Sequence, residues 1–441
     1  MSDYRDIDSG YGDITLIQRE LRSPVTTPES QDVELSVPTV ARVRGQEAPG
    51  VERVAPQAAG ITGTSSNRNV RDGIALCLSG GGYRAMLFHA GALWRLNEMG
   101  LLPRLNQIAS VSAGSIAAGV LWHAWPRLDF DSTGRARLFE QEVIRPLRDL
   151  ASKTIDLNIA LLGILKSDRG NHLARFYRRH LFGSTTLQDL PNSTDGPKFL
   201  MSAWNVQSGS LWTFSKAFMG DYTVGWISNP KVTLADAVAA SSAVPPILSP
   251  LILRLDHADF KAGRFTTLKH PPFTTRVVLT DGGVYDNLAL ENVWKNNGTV
   301  LVSDGAAAQL PLENPDLDWA SQIMRIHNST NAQLRRLRRF QLLTSFMEPP
   351  GNEEHREGTY WGITTDIRDY SLGDALHISP EKTYALSTSP TRFGSMPMPM
   401  QERLINWGYA LCDAAMRRHV AGSLPDLDLT PPKGFPYPKA G

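Results

Sequence analysis

The sequence predicts an α/β fold with a largely parallel central sheet, held between flexible N-terminal and C-terminal tails. Three observations carry this prediction. Short apolar runs alternate with helix-length patterns through the middle of the 441 residues. The first of these runs closes on glycines and opens directly into a helix, as strands of a sheet covered on both faces do. Both ends of the chain lack the apolar periodicity that either kind of element requires.

Taken in order, residues 1–71 are rich in Pro, Ser, Thr, Gly, Glu and Arg and poor in aromatics. Such a stretch cannot bury enough apolar surface to offset its ordering entropy, so a loosely attached tail is expected, with TLIQREL at most a transient turn of helix. Gly73 to Leu78 reads as the first strand. A helical pattern follows from Tyr83 to about Met99, and Gly100 stands where a helix stop belongs. Ile108 to Val111 is a second strand, and Ser112 opens a helix of small residues. Lys198 to Trp204, Leu211 to Phe214, Arg276 to Leu279 and Thr299 to Val302 read as further strands. One domain is expected over residues 72–420, and the Pro-rich residues 421–441 form the second tail.

Composition narrows the function. Hydrophobic residues make up 41% and charged residues 20% of the chain, as in an ordinary soluble globular protein. Lys+Arg 45 against Asp+Glu 44 leaves +1, which gives no support to nucleic-acid binding. Cys77 and Cys412 stand far apart and read as two buried thiols in a reducing compartment. The amino terminus has neither the basic nor the apolar region of a secretory signal. The longest apolar run, Ile159 to Leu165, falls far short of the ~20 residues that span a bilayer. A cytoplasmic protein with at most peripheral membrane contact is expected.

Three strand ends carry chemistry. Gly80, Gly81 and Gly82 lie between a strand and a helix, where bare backbone N–H groups and the helix dipole can stabilise an anion or oxyanion. Arg84, just inside the helix, either adds charge or braces the loop. In Ser110-Val111-Ser112-Ala113-Gly114 a strand turns at once into a helix, as in a nucleophile elbow, with Ser110 replacing the usual first glycine. In Asp281-Gly282-Gly283 a carboxylate ends an apolar strand and two glycines let the chain turn. Together they supply oxyanion donor, nucleophile and base, the parts of acyl transfer. Asp286 and Asp304 are rival carboxylates, ranked below Asp281. None of the ten histidines stands at a late strand end, where the order Ser…Asp…His would put it. Gly80, Gly82 and Ala85 also form a partial G-x-G-x-x-A, but the acidic residue a dinucleotide site needs at the next strand end is missing. No G-K-[ST] follows the glycines, which excludes a P-loop.

These motifs resemble the patatin-like phospholipase family. Its glycine-rich loop is similar to Gly80–Ala85, its G-x-S-x-G elbow to Ser110–Gly114, its D-G-G motif to Asp281–Gly283, and its small-residue–proline block to Ala239–Pro246. The likeness runs from about Asp72 to Arg418, with Ala85 and Ser110 in place of glycines. The resemblance implies a three-layer α/β/α fold and a lipid acyl hydrolase in which Ser112 forms an acyl-enzyme and Asp281 is the base. It implies no metal and no organic cofactor. An alternative reading is a regulated patatin-like effector whose main role is docking to a membrane or partner. Arg335, Arg336, Arg338 and Arg339, beside Leu334, Leu337, Phe340 and Leu343, suit an anionic lipid surface or a solvated helix packed on the core.

Overall fold

The computed structural model describes residues 73–155 and 169–440. The N-terminal tail and the Ile159–Leu165 run lie outside the described residues. Among the described residues eleven strands form one sheet. They are β1 (Ile74–Leu78), β2 (Gln107–Val111), β3 (Lys198–Asn205), β4 (Ser210–Phe214), β5 (Phe218–Asp221) and β6 (Gly225–Ser228), followed by β7 (Leu251–Arg254), β8 (Phe260–Lys261), β9 (Arg276–Asp281), β10 (Thr299–Asp304) and β11 (Glu357–Gly362). The helices are α1 (Gly82–Glu98), α2 (Ala113–Ala124), α3 (Arg145–Ala151), α4 (Arg169–Tyr177), α5 (Leu234–Ser242), α6 (Trp319–Met347), α7 (Pro380–Ser387) and α8 (Met398–His419).

The parallel centre expected from the sequence is the run β11-β10-β1-β2-β3. Beyond β3 the sheet continues antiparallel through β4, β5, β6 and β8, and β9 joins β3 and β7 antiparallel. Alternation along β1 divides the core. Ile74, Leu76 and Leu78 join a large cluster with α1, α2 and α8. Ala75 and Cys77 face the other side, where Leu288, Leu290, Val293 and Leu342 cover them. Burial on both faces is why these strands read as continuous apolar runs.

Two glycines bring α1 and α8 unusually close. A Cβ at Gly91 would lie 1.9 Å from the Ile405 carbonyl oxygen, and one at Gly408 would lie 1.9 Å from that of Phe88. The buried Arg95 of α1 clasps Asp413 of α8 at 2.8 Å. Both cysteines are free and buried.

The Pro-rich C-terminal segment departs from the expected flexible tail. It is short of regular structure, yet its side chains and backbone are held. The Asn406 carboxamide donates to the Tyr437 carbonyl at 2.8 Å and accepts from the Tyr437 N–H at 3.0 Å. Tyr437 also meets Trp94 edge-on at 5.9 Å, and Leu424 and Leu427 are buried. Periodicity could not reveal this, because the anchors are isolated residues that seat on α1 and α8.

Candidate active site

The register of β3 brings the elbow and the carboxylate together. β2 runs beside β3 as far as Val111, which pairs with Ser202. On the same edge β9 takes over at the next residue, Ala203, which pairs with Asp281. The other edge of β3 is occupied by β4 along this stretch. The chain leaving β2 at Ser112 and the chain leaving β9 at Asp281 therefore emerge side by side.

Ser112 has φ 54° and ψ −123° at the start of α2, a strained conformation for a residue with a Cβ and the one that thrusts an elbow serine outward. Small neighbours make the turn possible. The Gly114 N–H donates to the Ser79 carbonyl at 3.1 Å, and a Cβ there would lie 2.2 Å from the Leu78 carbonyl oxygen. Ser110 does more than substitute for glycine. Its hydroxyl meets that of Ser115 at 3.0 Å, Ser115 meets Ser241 at 2.8 Å, and the Ser241 oxygen accepts the Ser112 N–H at 2.9 Å. Ser241 in turn donates to the Ser202 carbonyl at 2.6 Å. A serine ladder thus fastens the elbow to α5 and β3. Ser115 and Ser241 were not singled out as site residues, since a serine in a helix start or in a small-residue block signals nothing by itself.

Asp281 is buried at the end of β9. Its Oδ1 accepts the Gly283 N–H at 2.7 Å, while Oδ2 has no hydrogen-bond partner of ordinary geometry. Burial raises its pKa to about 6, opposed by the neighbouring Ser112 hydroxyl and the Gly283 N–H. Gly282 is required by close approach, since its Cβ would lie 2.4 Å from the Ser202 carbonyl oxygen. The rival carboxylates point elsewhere. Asp286 accepts the N–H groups of Leu288 and Glu291, and Asp304 accepts from the Tyr360 hydroxyl and the Ala306 N–H.

The glycines of the loop stand in different surroundings. Gly81 at φ 143° and Gly82 at φ 65° take conformations that disfavour a Cβ, and both line the cavity that Ser112 and Asp281 also line. Gly80 stands behind them, its N–H bound to the Asn287 carbonyl at 3.2 Å. Arg84 resolves to a brace. Its buried guanidinium donates to the carbonyls of Gly305 and Ser389 and to the Thr391 hydroxyl, and burial lowers its pKa to about 10. Sequence could not separate these roles, because both need an arginine at the start of the helix.

The cavity, about 410 Å³, is closed on one side by Val244, Pro245 and Leu248 and on another by α6, through Met324, His327, Asn328, Asn331 and Arg335. His327 was not expected here. It lies on a helix rather than a strand end, and its Nε2 contacts the Asn331 carboxamide nitrogen at 3.0 Å. By contrast His89 is structural. It bridges the Ser303 hydroxyl and the Ser79 carbonyl, and burial lowers its pKa to about 4. Arg335, Arg338 and Arg339, considered for a lipid surface, are engaged with the body. Arg335 lies 3.7 Å from Asp304, Arg338 2.9 Å from Glu291, and Arg339 over the Tyr360 ring. Among the described residues no cluster could hold a metal ion, and no helix is long and apolar enough to cross a membrane.

The α/β sheet brings the turn at Ser112, the strand-end carboxylate of Asp281 and the glycines Gly81 and Gly82 together at one cavity. Residues 76–294 match the family described as patatin-like phospholipase, and the chain carries a domain of that family. Among solved structures, human GIVD cytosolic phospholipase A2 is similar over 78% of this chain and 58% of its own, with 12% identity and a TM-score of 0.47. VipD from Legionella pneumophila is similar over 78% of this chain and 66% of its own, with 15% identity and a TM-score of 0.32. The chain thus spans 58% of the length of the phospholipase A2 chain. No curated protein matches it in sequence.

Proposed function

We propose that this chain hydrolyses carboxylic esters of lipids through a Ser112–Asp281 dyad and an acyl-enzyme. The observation that carries the reading is the buried Asp281, with its pKa raised to about 6, beside a serine held in a strained elbow. A carboxylate of ordinary pKa ~3.9 is a poor base toward a hydroxyl, and raising it to about 6 makes proton capture more favourable by about 3 kcal/mol. At pH 7 such a group is still about ten to one ionised and ready to act.

In this reading Ser112 Oγ attacks the ester carbonyl while its proton passes to Oδ2 of Asp281, the oxygen without a partner. The developing oxyanion accepts the N–H groups of Gly81 and Gly82, with the amino termini of α1 and α2 behind it. Collapse expels the alcohol, which takes the proton from Asp281. Water then gives a proton to Asp281 and attacks the acyl group, and Ser112 regains its proton as the fatty acid leaves. No cofactor enters the scheme. We take the domain to run over residues 72–420, because β10 is flanked by β1 and β11 and α8 packs on α1. Substrate would come from a lipid surface that the chain contacts peripherally in the cytoplasm.

The direct test is labelling of the purified full chain by an active-site-directed fluorophosphonate, with the modified peptide mapped. Label on Ser112, lost in Ser112→Ala, is the expected result. A folded chain that takes no label, or takes it on another serine, refutes the dyad.

A further inference from the structure

Helix α6 shows two dissimilar faces. One walls the cavity through Met324, His327, Asn328, Asn331 and Arg335. On another, Trp319, Ile323, Ile326, Leu334, Leu337 and Phe340 are all exposed, Trp319 at 77% and Ile326 at 63%. At 3.6 residues per turn these six fall in one stripe along the helix. The segment before it adds the exposed Leu310, Leu312 and Leu317. The described side chains of α6 that are buried, Leu342, Leu343 and Ser345, all lie near its C-terminal end. Thr330 and Gln333 interrupt the stripe between Ile326 and Leu334, yet six exposed apolar side chains on one helix face mark an interaction site rather than ordinary scatter.

Charge selects the occupant. Residues 319–347 contain five arginines, Arg325, Arg335, Arg336, Arg338 and Arg339, and no carboxylate. On the helical wheel Arg325, which also donates to the Leu310 carbonyl, and Arg336 flank the stripe on one side, while Arg338 on the other is held by Glu291. Two copies of this helix set face to face would bring like charges together, which opposes self-association. The same arrangement suits an anionic lipid surface, with the apolar stripe sunk among acyl chains and the arginines at head-group level. The stripe also borders the wall of the cavity that holds Ser112 and Asp281.

We infer that α6 lays this stripe into an anionic lipid surface and so presents the cavity mouth to the lipids there. What is done to those lipids rests on the hydrolase reading, whereas the docking does not. The test uses the full chain and vesicles of phosphatidylcholine with and without phosphatidylserine, scored by co-sedimentation. The wild type and Ser112→Ala are expected to bind the anionic vesicles alike and the neutral ones weakly. The triple variant Trp319→Ser, Ile323→Ser, Ile326→Ser alters exposed residues outside the cavity wall. It is expected to lose about tenfold or more of the binding. Its melting temperature and its rate on a soluble short-chain ester should stay those of the wild type.

Binding that ignores phosphatidylserine, or that survives the triple substitution, overturns the proposal. So does a wild-type dimer that the triple variant converts to monomer while vesicle binding is unchanged, for then a second copy is the occupant. A deletion of residues 1–72 that abolishes binding while the triple variant keeps it assigns the docking to that segment instead, and overturns the proposal too. Loss of all ester hydrolysis in a wild type that still binds through the stripe refutes the hydrolase reading alone.

Discussion

Replacing Asp281 by Asn separates two consequences of one buried carboxylate. Burial raises its pKa from 3.8 to about 6 in the folded chain. The folded state therefore binds the proton more tightly than the unfolded state does. That preference stabilises the fold below about pH 4 and is lost as the pH rises through about 6. The difference corresponds to about 3 kcal/mol. Asn cannot titrate, so the stability of Asp281→Asn minus that of the wild type should grow by about 3 kcal/mol between about pH 4 and pH 8. The new amide N–H, placed where Oδ2 has no partner, costs about 1–3 kcal/mol. That cost is the same at every pH and cancels from the slope. Denaturant titrations across the pH series measure it. Ester hydrolysis should fall by about 10²–10⁴, and kcat/KM of the wild type should rise as the pH increases through about 6. A stability difference that is flat with pH refutes the claim that Asp281 is desolvated. A variant that keeps its activity moves the base elsewhere, and His327 on the cavity wall is then the residue to substitute.

Two further substitutions probe the framework. Ser241→Ala removes the acceptor of the Ser112 N–H. It should cost about 1–3 kcal/mol, read by denaturant unfolding, and lower kcat through a misaimed serine more than it raises KM. Gly408→Ala puts a methyl 1.9 Å from the Phe88 carbonyl oxygen. Forcing α1 and α8 apart should destabilise the chain by about 1–3 kcal/mol or more, read as a lower Tm at unchanged labelling of Ser112 in the folded fraction.

The proposed site was legible because each part of it demands a rare local pattern. A strand that closes on Gly80–Gly82, one that turns at Ser112 and one that ends at Asp281 each break periodicity in a recognisable way. The scaffolding was not. Ser110 looks like a defect in the elbow until Ser115 is seen to bind it and Ser241 to bind Ser115, a contact that spans more than a hundred residues of sequence. Arg84 reads equally well as charge donor or brace until the Gly305, Ser389 and Thr391 oxygens are found around it. The Pro-rich end looked like a tail because its anchors, such as Tyr437, are single side chains that follow no period. In the antiparallel half β4 and β9 read as strands, but β5 to β8 escaped for a similar reason. Strands as short as β7 and β8 offer too few residues for alternation to stand out.

The handover between β2 and β9 has a consequence for how such a chain can vary. Ser112 and Asp281 are 169 positions apart in sequence, but the strands that carry them are registered by Ser202 and Ala203, adjacent residues of β3. The strand ends that carry Ser112 and Asp281 are therefore offset by one residue step of β3, about 3.3 Å along the strand. Segments inserted between Ala124 and Lys198, or between Asn205 and Arg276, lengthen the chain without lengthening that step. Loops there are free to diverge in size and composition, and a single-residue insertion within β3 is what would pull the pair apart.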